Sequence, residues 1–154
     1  MSRRLVRLAA LLAGGGLAAA GCGEDEQKTF EKEFKPLNRE LVALGTEVGG
    51  SISSASGSSN SQIAQAFGKH RRELGTLRDE AEELEPPGEL DSTHEDLTKA
   101  MDDAQNALAG IERAAKKGNT EQARRATIRF VSSSARLRTA RRKLAKATGA
   151  RVGG

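Results

Sequence analysis

Apolar residues recur along this chain at alternating steps of three and four, the spacing that keeps side chains on one face of an α-helix. Phe30, Phe34, Leu37, Leu41, Leu44 and Val48 form a first stripe, and Ile63, Phe67, His70, Leu74, Leu77, Ala81 and Leu84 a second. A third runs Leu97, Met101, Ala104, Leu108, Ile111 and Ala115. The fourth is looser: Ala123, Ala126, Phe130, Leu137, Ala140 and Leu144 share a face whose middle is thinned by Ser133 and Ser134. The pattern predicts an all-α fold of four helices, each of roughly 25 residues or about 37 Å.

The polar punctuation between the stripes agrees. Residues 49–60 are rich in Gly and Ser and read as a flexible linker. Pro86-Pro87-Gly88 stops the second helix, because proline lacks an N–H and restricts the residue before it. Asp91 or Ser92 is placed to cap the third helix, with Glu95 completing a capping box from Ser92. Gly118 ends that helix in a left-handed turn, Asn119 or Thr120 caps the fourth, and Gly149 is its final stop. Pro36 falls inside the first stripe and predicts a kink or a late start. Short second and third connections make neighbouring helices antiparallel, an up-down-up-down four-helix bundle. The start of the first helix, the Pro-Pro turn and the C-terminus then share one pole.

Composition supports helices over sheets. The 154 residues include no Trp or Tyr and only 3% aromatics, so the core is built from Leu, Ala, Ile, Val and four Phe. Cys22 is the single cysteine, which excludes an intrachain disulfide and a multi-cysteine metal site.

The position of Cys22 explains it. Arg3, Arg4 and Arg7 precede an uncharged stretch from Leu8 to Gly21, too short to span a bilayer and of the length of a signal-peptide core. The stretch ends in Leu17-Ala18-Ala19-Ala20-Gly21-Cys22, followed at once by Gly-Glu-Asp-Glu. Ala19-Ala20-Gly21-Cys22 resembles the lipobox of bacterial lipoproteins, with Ala19 in place of the commoner Leu. The resemblance implies diacylglyceryl transfer to Cys22, cleavage before it, and a mature chain held by acyl groups such as palmitate on the extracytoplasmic face of the cell membrane. More than one acyl chain is what stable anchoring requires. Ser2-Arg3-Arg4 is similar to a twin-arginine signal, although Arg7 stands where that signal is apolar, so that route is open but not favoured over general secretion. The run Leu77 to Leu90, with Leu84-Glu-Pro86-Pro87 closing one helix and His94 early in the next, resembles small helical envelope lipoproteins of actinobacteria. The expected organisation is a signal peptide at 1–21, an acidic tether at 22–29, a four-helix domain at 30–148 and a tail at 149–154.

Charge is strongly separated. From Thr120 onward ten basic side chains face the single acid Glu121, whereas residues 22–119 hold twelve basic and twenty acidic ones. One explanation is internal: Glu80, Glu82, Glu83, Glu85, Glu89 and Asp91 share a pole with Arg141, Arg142, Lys143 and Lys146 and neutralise them. The other is that those four basic residues meet anionic lipid headgroups or an anionic envelope polymer. Nucleic acid is disfavoured as a partner by export, by the lack of stacking aromatics and by the near balance of charge in the mature chain.

Chemistry is sparse. His70 lies on an apolar stripe and reads as a structural histidine; His94 and Asp91 share a helical face, but the paired Glu-x-x-His elements of a di-metal bundle are missing. No Cys-x-x-Cys-His, Gly-x-Ser-x-Gly or phosphate-loop pattern occurs in the mature part, so no catalytic residue, metal ligand or cofactor is assigned. The expectation is a membrane-anchored, non-enzymatic helical envelope module acting through structure or interaction, with a protein partner the residues do not specify. The alternative is an extracytoplasmic binding protein holding a small or lipidic ligand between splayed helices near Ser133 and Ser134. A cavity lined by Phe67, Met101 and Phe130 would favour the latter.

Overall fold

A computed structural model describes residues 22–149, with the backbone alone for residues 22–24. The expected signal peptide, the Cys22 side chain and most of the expected tail therefore lie outside the described residues. Four helices account for nearly all of the described chain, with no strand among the described residues: α1 (Cys22–Ser54), α2 (Asn60–Glu82), α3 (Asp91–Lys116) and α4 (Thr120–Ala147).

The stripes face inward. Phe30, Phe34, Leu37, Leu41, Leu44 and Val48 of α1 are all buried, as are Phe67, Leu74, Leu77 and Ala81 of α2. So are Leu97, Met101, Ala104, Leu108 and Ile111 of α3 and Ala126, Ala140 and Leu144 of α4, and together they form one core. Fully burying each Leu or Phe contributes about 1.5–3 kcal/mol. The fourth stripe is ragged as its sequence suggests: Phe130 and Leu137 are half-buried, while Ile128 and Val131 stand 56% and 60% exposed.

The helices are not equally engaged. α3 packs extensively on both α2 and α4, whereas α1 rests mainly on α2 and barely touches α4. The α3–α4 approach is close because Gly110 has no side chain: a Cβ there would lie 3.0 Å from that of Ala126. At one end Gln27 Nε2 donates to the Ala147 carbonyl at 3.1 Å, and the Phe30 ring meets His94 edge-on at 6.2 Å.

Local structure departs from expectation at four places. Residues 22–29, expected as a tether, are the first turns of α1, which runs on through Pro36 without a late start. Pro36 and Lys32 are both exposed, so the carbonyl that loses its helical partner is on the solvated side. Residues 49–54 of the expected linker are helical, followed by a 3₁₀ turn at Ala55–Gly57. Buried Val48 and half-buried Ile52 hold that stretch on the core, and the Ser53 and Ser54 hydroxyls donate to the Gly49 and Gly50 carbonyls at 3.0 Å. The break is supplied by Ser59, whose hydroxyl and backbone exchange hydrogen bonds with Gln62 in a capping box at the head of α2.

The fourth departure is at α3. A 3₁₀ turn at Gly88–Leu90 leads straight into the helix, Leu90 is its cap without a side-chain bond, and Ser92 is already helical. The Ser92–Glu95 box is therefore not formed. The α3–α4 turn follows expectation: Gly118 has φ +61°, and Asn119 Oδ1 accepts from Gln122 N at 2.9 Å. Gly149, with φ +66°, closes α4.

Candidate functional site

The poor seating of α1 on α4 leaves an open, mainly apolar groove of about 480 Å³, within the roughly 300–1,000 Å³ range of small-molecule sites. Leu41, Leu44, Val48, Leu74, Ala104 and Leu108 give it an apolar floor, and Phe130, Val131 and Leu137 form the α4 wall. On the α1 side Gly45 and Gly49, one turn apart, contribute no side chain, and a Cβ at either would touch nothing within 4 Å. Their bareness holds the groove open.

Arg138, Arg141 and Arg142 also line the groove. Arg141 is only 7% exposed, and its Nη1 donates to Oδ1 of buried Asn38 on α1 at 2.7 Å. Asn38 is neutral, and no carboxylate pairs with Arg141 among the described residues. Burial, with the positive Arg142 and Arg138 beside it, lowers the Arg141 pKa from its ordinary value. A buried cation offset only by a neutral amide is costly. An anion in the groove would supply the missing countercharge.

This placement revises one expectation about the C-terminal basic residues. Arg142, Lys143 and Lys146 are exposed and available to an anionic surface, but Arg141 points to the interior of the fold. The internal neutralisation at this pole is absent among the described residues. Arg136 pairs with Asp103 at 3.0 Å, Arg124 and Arg125 pair with Glu121 of their own helix, and Glu82 pairs with Arg78 of α2. No carboxylate among the described residues meets Arg141, Arg142, Lys143 or Lys146.

The lining differs from the cavity expected between splayed helices. Phe130 and Ser134 border it, but Phe67 and Met101 are packed in the core at 2% and 0% exposure. Ser133 is buried with its hydroxyl donating to the Arg129 and Phe130 carbonyls, at 3.1 and 3.0 Å, and is not a ligand contact. The sequence held a signal for Arg141 that periodicity alone passes over: it stands four residues after Leu137 and three before Leu144, on the buried face of α4. Asn38 stands likewise between Phe34 and Leu41.

Neither histidine enters the groove. His94 Nε2 donates to the Ala81 carbonyl at 2.7 Å, tying the end of α2 to α3, rather than pairing with Asp91. His70 is buried at 4% exposure, with Nε2 2.9 Å from Ser51 Oγ and Nδ1 3.3 Å from Glu73 Oε2.

Among the described residues no helix is long and apolar enough to cross a membrane. Compared with protein-family models, curated proteins and solved structures, the chain matches none.

Proposed function

We propose that this chain is a lipid-anchored, non-enzymatic helical module of the bacterial cell envelope that holds a single-chain anionic amphiphile in the groove between α1 and α4. The observation carrying this reading is the buried Arg141, without a carboxylate partner among the described residues, at the side of an apolar trough. An acyl chain would cover the Leu41, Leu44 and Phe130 surface, and its carboxylate or phosphate would meet the three arginines. Anchoring rests on the lipobox-like Ala19-Ala20-Gly21-Cys22 and places the domain on the extracytoplasmic face of the membrane.

In this reading the helices run up-down-up-down and antiparallel. The Gln27–Ala147 bond and the Phe30–His94 contact support a shared pole for the start of α1, the start of α3 and the end of α4. The exposed Arg142, Lys143 and Lys146 favour a second role at that pole, contact with anionic headgroups of the anchoring membrane.

The test is a fluorescence titration of residues 22–154 carrying Cys22→Ser, free of the apolar stretch Leu8–Gly21 and stripped of lipid, with a polyene fatty acid. The absence of Trp and Tyr leaves a low protein background. Saturable binding is expected. It should weaken at least tenfold for the matching fatty alcohol and for Arg141→Met, and be lost in Gly45→Leu, which fills the trough. Competition by a lysophosphatidic acid against a free fatty acid distinguishes a phosphate from a carboxylate headgroup. Equal affinity for acid and alcohol, or undiminished binding by Gly45→Leu, would exclude the groove as the site.

A further inference from the structure

A second cluster of chemistry-bearing side chains lies away from the arginines, where α1 meets α2. Glu47 of α1 and His70 and Glu73 of α2 each offer a ligand atom, and these atoms all lie within 4.8 Å of one another. We propose that these three residues form a Zn²⁺ site that cross-links α1 to α2.

One imidazole nitrogen and two carboxylates, with water completing a tetrahedron, is a donor set that suits Zn²⁺ and disfavours the all-oxygen preference of Mg²⁺ and Ca²⁺. His70 is the fixed element. It is buried, its ring packs edge-on against Phe67 at 6.2 Å, and its Nε2 is held by Ser51. A metal-binding histidine needs a partner on its second nitrogen to set tautomer and ring orientation. Ser51 is suited to both states. With Nδ1–H facing Glu73, the hydroxyl donates to Nε2; with metal on Nδ1, the proton resides on Nε2 and the hydroxyl accepts it. Ser51 differs in this from Ser53 and Ser54, whose hydroxyls donate to carbonyls of their own helix.

The two carboxylates already attract a cation. Lys69 Nζ lies 3.2 Å from Glu73 and 3.6 Å from Glu47. Lys69 is largely exposed on a flexible stem and can swing away. Its single charge would give place to a divalent ion that also takes the imidazole, with the two carboxylates balancing that ion. Lys69 is therefore the competitor of the metal, and removing it tightens binding.

The experiment is calorimetric titration of ZnCl₂ into the full chain carrying Cys22→Ser, without a histidine tag, so that no thiol or added imidazole binds the ion. One Zn²⁺ per chain is expected. Glu73→Gln and His70→Gln each weaken it at least tenfold, Glu47→Gln several-fold, and Lys69→Ala strengthens it several-fold. Because His70→Gln changes a buried residue, the exposed Glu47→Gln and Lys69→Ala carry the decision, each checked for native helicity. Zn²⁺ should also raise the Tm of the parent chain by several degrees and leave Glu73→Gln nearly unmoved. Binding unaffected by Glu47→Gln and Lys69→Ala, or no binding by either the parent or Lys69→Ala, overturns the proposal.

Discussion

Arg141 and Asn38, 103 residues apart, meet through a 2.7 Å hydrogen bond with both side chains buried. The pair couples α4 to α1 where the two helices otherwise scarcely touch. Replacing Asn38 by Leu leaves a buried guanidinium without its acceptor and should cost about 1–3 kcal/mol. Replacing Arg141 by Met removes the buried charge, which offsets the loss of the Asn38 amide's partner, and should cost less than Asn38→Leu, under about 1 kcal/mol. Urea unfolding of the two variants checks the asymmetry. Equal destabilisation by both would mean that the guanidinium contributes net stability in the free protein.

The groove also predicts a conflict between stability and binding. Gly45 and Gly49 lie inside α1, where Gly is about 0.8–1 kcal/mol worse than Ala, and a Cβ at either meets open space. Gly45→Ala and Gly49→Ala should each raise stability by about 0.5–1 kcal/mol in chemical denaturation. The double variant should lose affinity for the amphiphile as the trough narrows.

Acid should act through Glu112. Its side chain is 13% exposed and pairs with Lys116 at 2.7 Å and Arg71 at 3.0 Å. The Lys116 hydrogen bond, and then Arg71, hold its carboxyl below the ordinary pKa of 4.5 against the opposing effect of burial. A depressed folded-state pKa contributes stability that is present above the ordinary value and lost as pH falls through the folded one. Glu112→Gln should thus be less stable than the parent at pH 7, with the difference shrinking as pH falls from 7 to below the ordinary carboxylate value of 4.5. Denaturation midpoints measured across that span check it.

The α3–α4 seam tolerates no added bulk at Gly110. A methyl at 3.0 Å from the Ala126 Cβ forces a shift of a few tenths of an ångström, and a branched side chain forces more. Gly110→Val should destabilise by about 1–3 kcal/mol, whereas Gly57→Ala, with nothing within 4 Å, should be nearly silent. Thermal unfolding separates the two.

The exposed basic residues near the end of α4 predict salt-sensitive adhesion. The chain from residue 22 onward with Cys22→Ser, free of the basic and apolar stretch 1–21, should float with vesicles containing phosphatidylglycerol at low salt and detach as salt rises. Exchanging Arg142, Lys143 and Lys146 for Gln should abolish flotation, each basic residue being worth about 1 kcal/mol near the surface. Flotation that persists in the triple variant would refute this.

The helices were legible because helical burial is a local, periodic property: Phe30 to Val48 and Leu97 to Ala115 declare their inner faces without knowledge of a partner. Caps were legible where one residue carries them, as at Gly118 and Asn119. Ser92 failed because the 3₁₀ turn at Gly88–Leu90 begins the helical path before it. The stretch 49–54 failed because Gly and Ser composition hid the anchoring by Val48 and Ile52. The groove and the Glu47–His70–Glu73 cluster depend on how α1 sits against α4 and α2, and no periodicity within one helix encodes that.

The thin contact between α1 and α4 also bears on the order of assembly. Helices that are consecutive in the chain dock through short loops and require little closure entropy, so α2, α3 and α4 can form a nucleus early. Bringing Arg141 to Asn38 closes nearly the whole domain into a ring across the thin α1–α4 contact. That closure is expected to come late in folding, and amide exchange faster in α1 than in α3 would mark α1 as the element whose opening admits a long guest molecule.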